Sequence, residues 1–249
     1  MTYFNRLEEA QLAEHVVFIG YDPLEDASAK RLASSILKRT TMKELKIVPI
    51  VRDQLLAYNI CNRPVDPKGS TQFSITRFMV PHLMNYNGIG IFFDCDMLVT
   101  RDIEEMFALF DSKYAVQVPK HDYTPSTSNK MGGLPQTSYP RKQWSAVVIY
   151  NCGHIANKPL TNTIVETATP KFLHRFEWLM DQLIGSIPLE YNFLVGEQEK
   201  TSNLPFNIHH TLGSPVYKDC QHVDYADYWK EEFKITFGRD FDPEQDIIN

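Results

Sequence analysis

The stretch GIGIFFDCDMLVT at residues 88–100 constrains this chain more than any other, because an apolar run ends in two aspartates spaced i, i+2 and resumes directly after them. Ile89, Ile91, Phe92 and Phe93 have the near-continuous hydrophobicity of a strand covered on both faces, as in a parallel sheet flanked by helices. Side chains alternate along a strand, so Asp94 and Asp96 are expected to point one way and Cys95 the other. Two hard oxygen ligands would then converge at the carboxyl end of the strand, where α/β sheets bind ligands, and a divalent cation fits between them. Turn chemistry at a strand end is the simpler explanation of an Asp-x-Asp, and it stays open at this level.

The rest of the pattern alternates strand and helix. Residues 15–20, HVVFIG, read as a first strand, and 27–38 as a helix with Ala29, Leu32, Ala33, Ile36 and Leu37 on one apolar face. A second strand is expected at 46–51, a helix interrupted by Pro81 at 74–84, a helix opened by Asp102, a short strand at 114–118 and an apolar strand at 144–150 that ends at Asn151. Residues 119–143 are rich in Pro, Ser, Thr, Gly and Lys and too long for a passive connection, so they read as a functional loop with Lys130, Gln136 and Arg141 as substrate-contact candidates. Helices are expected at 159–167 and 170–183, a short apolar segment at 206–210 and an aromatic helix at 224–233.

Composition narrows the chemistry. The 249 residues, 43% hydrophobic and 22% charged, can build one large α/β domain. A net charge of -6, with no run among the 25 Lys and Arg, argues against general nucleic-acid binding and requires any anionic substrate to be held by a metal or by single basic residues. Cys61, Cys95, Cys152 and Cys220 lie far apart, which suggests neither a zinc ribbon nor a disulfide framework and fits a reducing compartment. The amino-terminal residues lack an apolar signal core and no apolar run reaches roughly 18 residues, so no transmembrane segment and a cytoplasmic location are expected.

Four motifs then occur in order: VFIGYDP in the first strand, SITRFMVP ahead of FFDCDM, WSAVVIYNCGH, and HHTLGSP followed by Lys218. In this order they resemble the nucleotide-sugar-dependent glycosyltransferases of the GT-A fold, nearest the glycogenin-like family 8 and its bacterial and viral relatives. The resemblance implies a single domain with a mostly parallel central sheet flanked by helices. Its nucleotide-binding part would span about residues 1–118, with the loop at 119–143 facing the acceptor and a sugar and acceptor part at 144–249. It also implies a UDP-sugar donor, Mn²⁺ or Mg²⁺, and an acceptor that could be a glycan, a lipid-linked sugar, a protein or a small molecule. The reaction would move a hexose to a hydroxyl with retention of configuration.

Residue by residue, the resemblance assigns the metal to Asp94, Asp96 and His210, with His210 preferred over His209 because HTLG matches the family's His-aromatic-Leu-Gly and His209 would alternate to the opposite face. Gly20, Tyr21 and Asp22 fall where the family meets the nucleoside, and Arg77 matches an arginine directed at the donor. Cys95, Gly213 and Lys218 complete the donor set, although Lys218 sits two residues beyond the family's lysine and lacks the following Pro-Trp. Trp144, Ser145 and Asn151 bracket a strand that lines the sugar, with Trp144-Ser145-Ala146 in place of the family's Asn-x-Gly, and Glu190 and Asn192 resemble a further sugar-facing segment. Asn151, Glu190 and Asn192 are the catalytic candidates. Asp181-Gln182 reads either as a remnant of an Asp-Gln-Asp element or as a solvated helix face.

Other readings compete. His210, Cys220 and His222 have poor spacing for zinc. DCDML also resembles the Asp-x-Asp-x-Thr signature of haloacid-dehalogenase-like Mg²⁺-dependent phosphatases, with Leu98 at the Thr position, but two strand-helix units precede it here. A sugar-nucleotide-binding protein without turnover is the non-catalytic alternative.

Overall fold

The computed structural model describes residues 3–64, 71–122, 129–130, 134–135 and 139–247. The strands, in chain order, are β1 (His15–Gly20), β2 (Lys46–Ile50), β3 (Ile89–Phe93), β4 (Met97–Val99), β5 (Val116–Pro119), β6 (Asn129–Lys130) and β7 (Leu134–Pro135). They continue with β8 (Val147–Asn151), β9 (Ile184–Ile187), β10 (Phe193–Leu194) and β11 (Asn207–His209). Six of them form the large sheet in the order β2-β1-β3-β8-β5-β9, in which β8 alone runs against its neighbours. The mostly parallel sheet anticipated from the apolar runs is therefore present, with β3 near its centre. A second sheet, β10-β11-β4, begins where the first leaves off, and β6 and β7 pair separately.

Burial explains which runs became which elements. Val16 to Ile19 and Ile91 to Phe93 are wholly inaccessible, as expected for strands covered on both faces. Helix α1 (Asp26–Arg39) covers one face through Ala29, Leu32, Ala33 and Ile36, while Leu37, expected on the same stripe, is 40% exposed. Ser28, Arg31 and Ser35 of α1 are buried as well: Ser28 meets Ser214, Ser35 accepts from the Val99 amide of β4, and Arg31 lies over Trp229 of the C-terminal helix Ala226–Phe237. That helix contributes stacked Trp229 and Phe233, whose rings both meet Phe241 edge-on.

Several boundaries differ from expectation for identifiable reasons. Pro81 does not interrupt a helix at 74–84, because a 3-10 turn at Thr76–Met79 hands over to a helix Val80–Leu83 that has Pro81 in its first turn, where the missing N–H costs little. The helix expected at 170–183 stops at His174, and Phe176 takes a positive φ of 54°, so that its ring packs with Trp178 against Phe78. The chain then enters β9, an edge strand that was not anticipated. Residues 144–146 form a 3-10 turn before β8 rather than the start of the strand. Of the loop expected at 119–143, residues 123–128, 131–133 and 136–138 lie outside the described residues, Gln136 among them, and Lys130 belongs to β6. Among the described residues no helix is long and apolar enough to cross a membrane.

One buried ion pair joins the two helices. Glu232, 2% exposed in its side chain, receives both Arg39 and Lys38 of α1. Burial pushes its carboxyl up, but the two cations outweigh it and hold the group below its ordinary value. This contribution is fully present above the ordinary glutamate range and is lost as pH falls through the lower folded value. Glu232→Ala removes the carboxylate from the half-buried Arg39 guanidinium and is expected to cost about 2 kcal/mol, measured by urea unfolding at neutral pH, with the difference from wild type shrinking in acid.

Candidate metal and donor site

The chain leaves β3 at Phe93, turns through Cys95 and Asp96, and enters β4 in the second sheet. Asp94 and Asp96 thus flank a turn instead of alternating along one strand, yet their carboxylates still converge. Asp94, Asp96 and His209 offer ligand atoms that all lie within 4.8 Å of one another. The Asp94 amide donates to the Ala146 carbonyl at 3.1 Å and the His210 amide to the Asp96 carbonyl at 3.2 Å, so each side of the turn is pinned to a different segment.

Register brings the histidines in. Antiparallel pairing of β11 with β4 sets His209 opposite Met97, and His209 Nε2 approaches Asp96 Oδ1 at 3.3 Å. The HTLG match pointed to His210, whereas the ligand atom that converges with the two aspartates belongs to its neighbour His209, the last residue of β11. His210 remains close behind. Its ring is fully buried, neither nitrogen has a hydrogen-bond partner among the described residues, and burial together with Arg31 lowers its pKa to about 3. Burial would also lower His209, but the Asp96 carboxylate raises it above its ordinary value, and His209 and His210 in turn lower Asp96 against the effect of its own burial.

Polar neighbours complete the site, Arg77 and Asn192 among those anticipated and Glu25, Arg31 and His121 not. Arg77 Nη1 pairs with Asp94 Oδ1 at 2.8 Å and donates to Ser145 O at 3.0 Å, while its Nε bonds Ser74 O at 3.1 Å. Behind the turn, the buried Glu25 carboxylate accepts from Cys95 Sγ at 3.1 Å and from Tyr217 Oη at 2.8 Å, and burial plus the Asp96 charge raise it to about 7. Arg31, fully buried over the Trp229 ring, donates to Met97 O at 3.0 Å. Asn192 and His121 stand on the far side of His209. Glu25 and Arg31 carry only the generic signal of a helix beginning and a helix cation, and His121 none at all.

The other anticipated residues are distributed unevenly. Asp22 is buried, and its carboxylate accepts the amides of Leu24 and Gln72, both at 3.0 Å. Gly20 makes room for protein rather than ligand, since a Cβ there would meet the Phe73 ring at 2.2 Å. Tyr21 donates to Asp26 at 2.8 Å and borders a cleft of about 420 Å³ with Pro49, Val51, Gln54 and Tyr58 at the carboxyl ends of β1 and β2. Ser145 Oγ meets His174 Nδ1 at 2.9 Å, and Trp144 Nε1 donates to His121 O at 2.9 Å. Gly213 holds a φ of +130°, which suits glycine, in a turn closed by its amide on His210 O. Lys218 is exposed on a 3-10 turn.

The three catalytic candidates lie in different surroundings. Asn151 pairs with Ile89 while Val147 pairs with Phe93, so Asn151 lies about 13 Å from the aspartate end of the sheet and bonds the carbonyls of Ser112 and Tyr114. Glu190 is 43% exposed and paired with Arg101. Asn192 is wholly buried, with its carboxamide bonded within the protein. Asp181 is a solvated partner of Arg141, which favours the surface reading of Asp181-Gln182.

The architecture has known counterparts. It resembles the glycosyltransferase GlyE of Streptococcus pneumoniae TIGR4 with a TM-score of 0.59 at 13% identity, covering 91% of this chain and 62% of that one. It also resembles the galactosyltransferase LgtC, solved with donor and acceptor sugar analogs, with a TM-score of 0.54 at 11% identity over 88% of this chain and 95% of that one. The fold is accordingly that of the GT-A glycosyltransferases, and the chain spans 62% of the GlyE chain. No protein-family model matches the sequence. At 44% identity over 226 residues, 88% of this chain and 85% of the relative, it belongs to the family of Protein CDI of Arabidopsis thaliana.

If the convergent atoms define the cation site, His209→Ala should weaken Mn²⁺ binding more than about tenfold and His210→Ala should weaken it less. Titration followed by Mn²⁺ electron paramagnetic resonance ranks the two.

Proposed function

We propose that this protein is a metal-dependent glycosyltransferase that moves a hexose from a UDP-sugar to an acceptor hydroxyl, with retention of configuration. The observation that carries the reading is the convergence of Asp94, Asp96 and His209 at the carboxyl end of β3, within a GT-A fold. Two carboxylates and an imidazole suit Mn²⁺, with Mg²⁺ as the harder alternative. The orphaned nitrogens of His210, and Asp96 Oδ1, which is buried without an aligned hydrogen bond, are atoms that a cation nearby would satisfy. When bound, the metal supplies charge neutralisation to a donor diphosphate.

The chain's own residues do the rest. Arg77 holds Asp94 in place and presents a cation that cannot lose its charge beside the phosphates. The cleft beside Tyr21 is the proposed place of the nucleoside. Lys218, exposed near the carboxyl side of the histidine turn, would reach the diphosphate. Trp144 and Ser145 stand next to the aspartates through Ala146 and Arg77, which makes them the candidate sugar contacts. Glu190, paired with Arg101, is proposed as an acceptor-side hydrogen-bond acceptor rather than a base, which is compatible with a retaining reaction in which the leaving diphosphate takes the acceptor proton. A reducing compartment, the cytoplasm, is proposed because all four cysteines are thiols, three of them buried.

A panel of UDP- and GDP-sugars with Mn²⁺, read by NMR for donor hydrolysis and thermal shift, tests the reading. Wild-type protein should select a UDP-sugar, and Asp96→Asn, which keeps the volume of a buried side chain, should lose at least about 100-fold in donor turnover while its circular dichroism stays unchanged. Donor binding without turnover in the wild type would favour the non-catalytic reading, to which the existing ion pairs on both aspartates also lend themselves. Once an acceptor is found, the anomeric proton of the fresh product should report an α linkage from an α-linked donor, and a β linkage would exclude retention.

A further inference from the structure

We propose that Asn192 is a positioning residue that fixes the tautomer of His209 and thereby aims Nε2 at the cation position. The inference rests on the reading of Asp94, Asp96 and His209 as a cation site, and it removes Asn192 from the sugar contacts.

The argument is one of donors and acceptors. Asn192 is wholly buried in the 3-10 turn Leu189–Asn192. Its Nδ2 bonds the Gln143 carbonyl at 3.2 Å, and its Oδ1 lies 2.7 Å from His209 Nδ1. A backbone carbonyl can only accept, so the amide group of Asn192 must turn toward Gln143 and the carboxamide oxygen toward His209. That oxygen can only accept as well, so Nδ1 carries the ring proton. Nε2 is then the nitrogen left to face Asp96 Oδ1, at 3.3 Å, which is the arrangement of a metal-ligating histidine whose other nitrogen is anchored by the protein.

Three further contacts hold the anchor still. The Asn192 carbonyl takes the hydrogen bond of His121 Nε2 at 2.8 Å, and the His121 carbonyl takes Trp144 Nε1 at 2.9 Å. Gln143, whose carbonyl sets the orientation of the amide, has a positive φ of 70° and bonds Thr211 Oγ1 through Nε2 at 2.8 Å. A left-handed conformation at a non-glycine residue needs surrounding structure to maintain it, and here it delivers the carbonyl to Asn192. Segments around residues 121, 143 and 209 are thus tied through Asn192, the first by its main-chain carbonyl and the other two by its carboxamide.

The test uses the full chain and Mn²⁺ alone. In ¹⁵N-histidine-labelled wild-type protein without metal, at a pH where the ring is neutral, long-range ¹H–¹⁵N correlation should show the His209 proton on Nδ1; a proton on Nε2 overturns the proposal. Asn192→Leu should weaken Mn²⁺ binding about 10- to 100-fold, whereas the same substitution in a His209→Ala background should change Mn²⁺ affinity no further. An undiminished effect in that background, or unchanged affinity in a folded Asn192→Leu protein, would also overturn it. Should Asn192→Leu fail to fold, the wild-type tautomer still decides. Should wild-type protein bind no Mn²⁺, the functional reading fails while the tautomer measurement continues to judge the role of Asn192.

Discussion

The transfer of the chain from one sheet to another at Cys95 and Asp96 is the constraint around which the site is organised. β3 is committed to the large sheet through β1 and β8, and β4 to the small one through β11. The backbone between them cannot satisfy both ladders, so it turns, and the turn is where two carboxylates emerge between the sheets. Because β11 is the partner of β4, the residues after Ile208 are carried to the same place. The histidines reach the aspartates through strand pairing, with no dedicated loop to deliver them.

Burying negative charge at such a junction requires compensation, because an isolated carboxylate in a poorly solvated interior is strongly destabilised. Each aspartate has a partner of its own, the Arg77 guanidinium for Asp94 and the His209 imidazole for Asp96, whose pKa that carboxylate raises against the effect of burial. The third carboxyl, Glu25, is raised to about 7 by its burial and by Asp96 and is stabilised by donors from Cys95 and Tyr217. Arg31 adds a buried positive charge from beneath, held between Trp229 and the Met97 carbonyl. The helix layer therefore supports the site electrically as well as by packing: α1 carries Arg31 into the interior, and the C-terminal helix supplies both the aromatic surface it lies on and Glu232, which engages Lys38 and Arg39 one face away.

The similarity to GlyE and LgtC at 13% and 11% identity shows how little of such a fold depends on particular side chains. In this chain the frame is a set of buried runs in a fixed order and a change of sheet after β3. Within that frame a Trp144–Ala146 turn lies beside Asp94, and Asn192 is hydrogen-bonded to His209.

The sequence by itself determined the buried strands, α1, the alternating order and the place where two carboxylates interrupt an apolar run, because these follow from local periodicity and from burial, which neighbouring residues jointly encode. It left open which histidine faces the carboxylates. The HTLG motif pointed to His210, but which of two adjacent histidines offers its ring to Asp96 depends on how β11 pairs with β4, and that pairing sets His209 opposite Met97. Asn151 could be recognised as the end of a strand, yet β8 runs antiparallel to β3, which puts that end at the opposite edge from the aspartates. β9 begins just past the helix expected at 170–183 and was not read as a strand, because its pairing with β5 joins segments far apart in the chain. Arg77 on Asp94, Glu25 beneath Cys95 and Asn192 behind His209 likewise depend on which distant segments meet. Those contacts are set by tertiary packing, since no short-range pattern in the chain records the partner of a side chain many residues away.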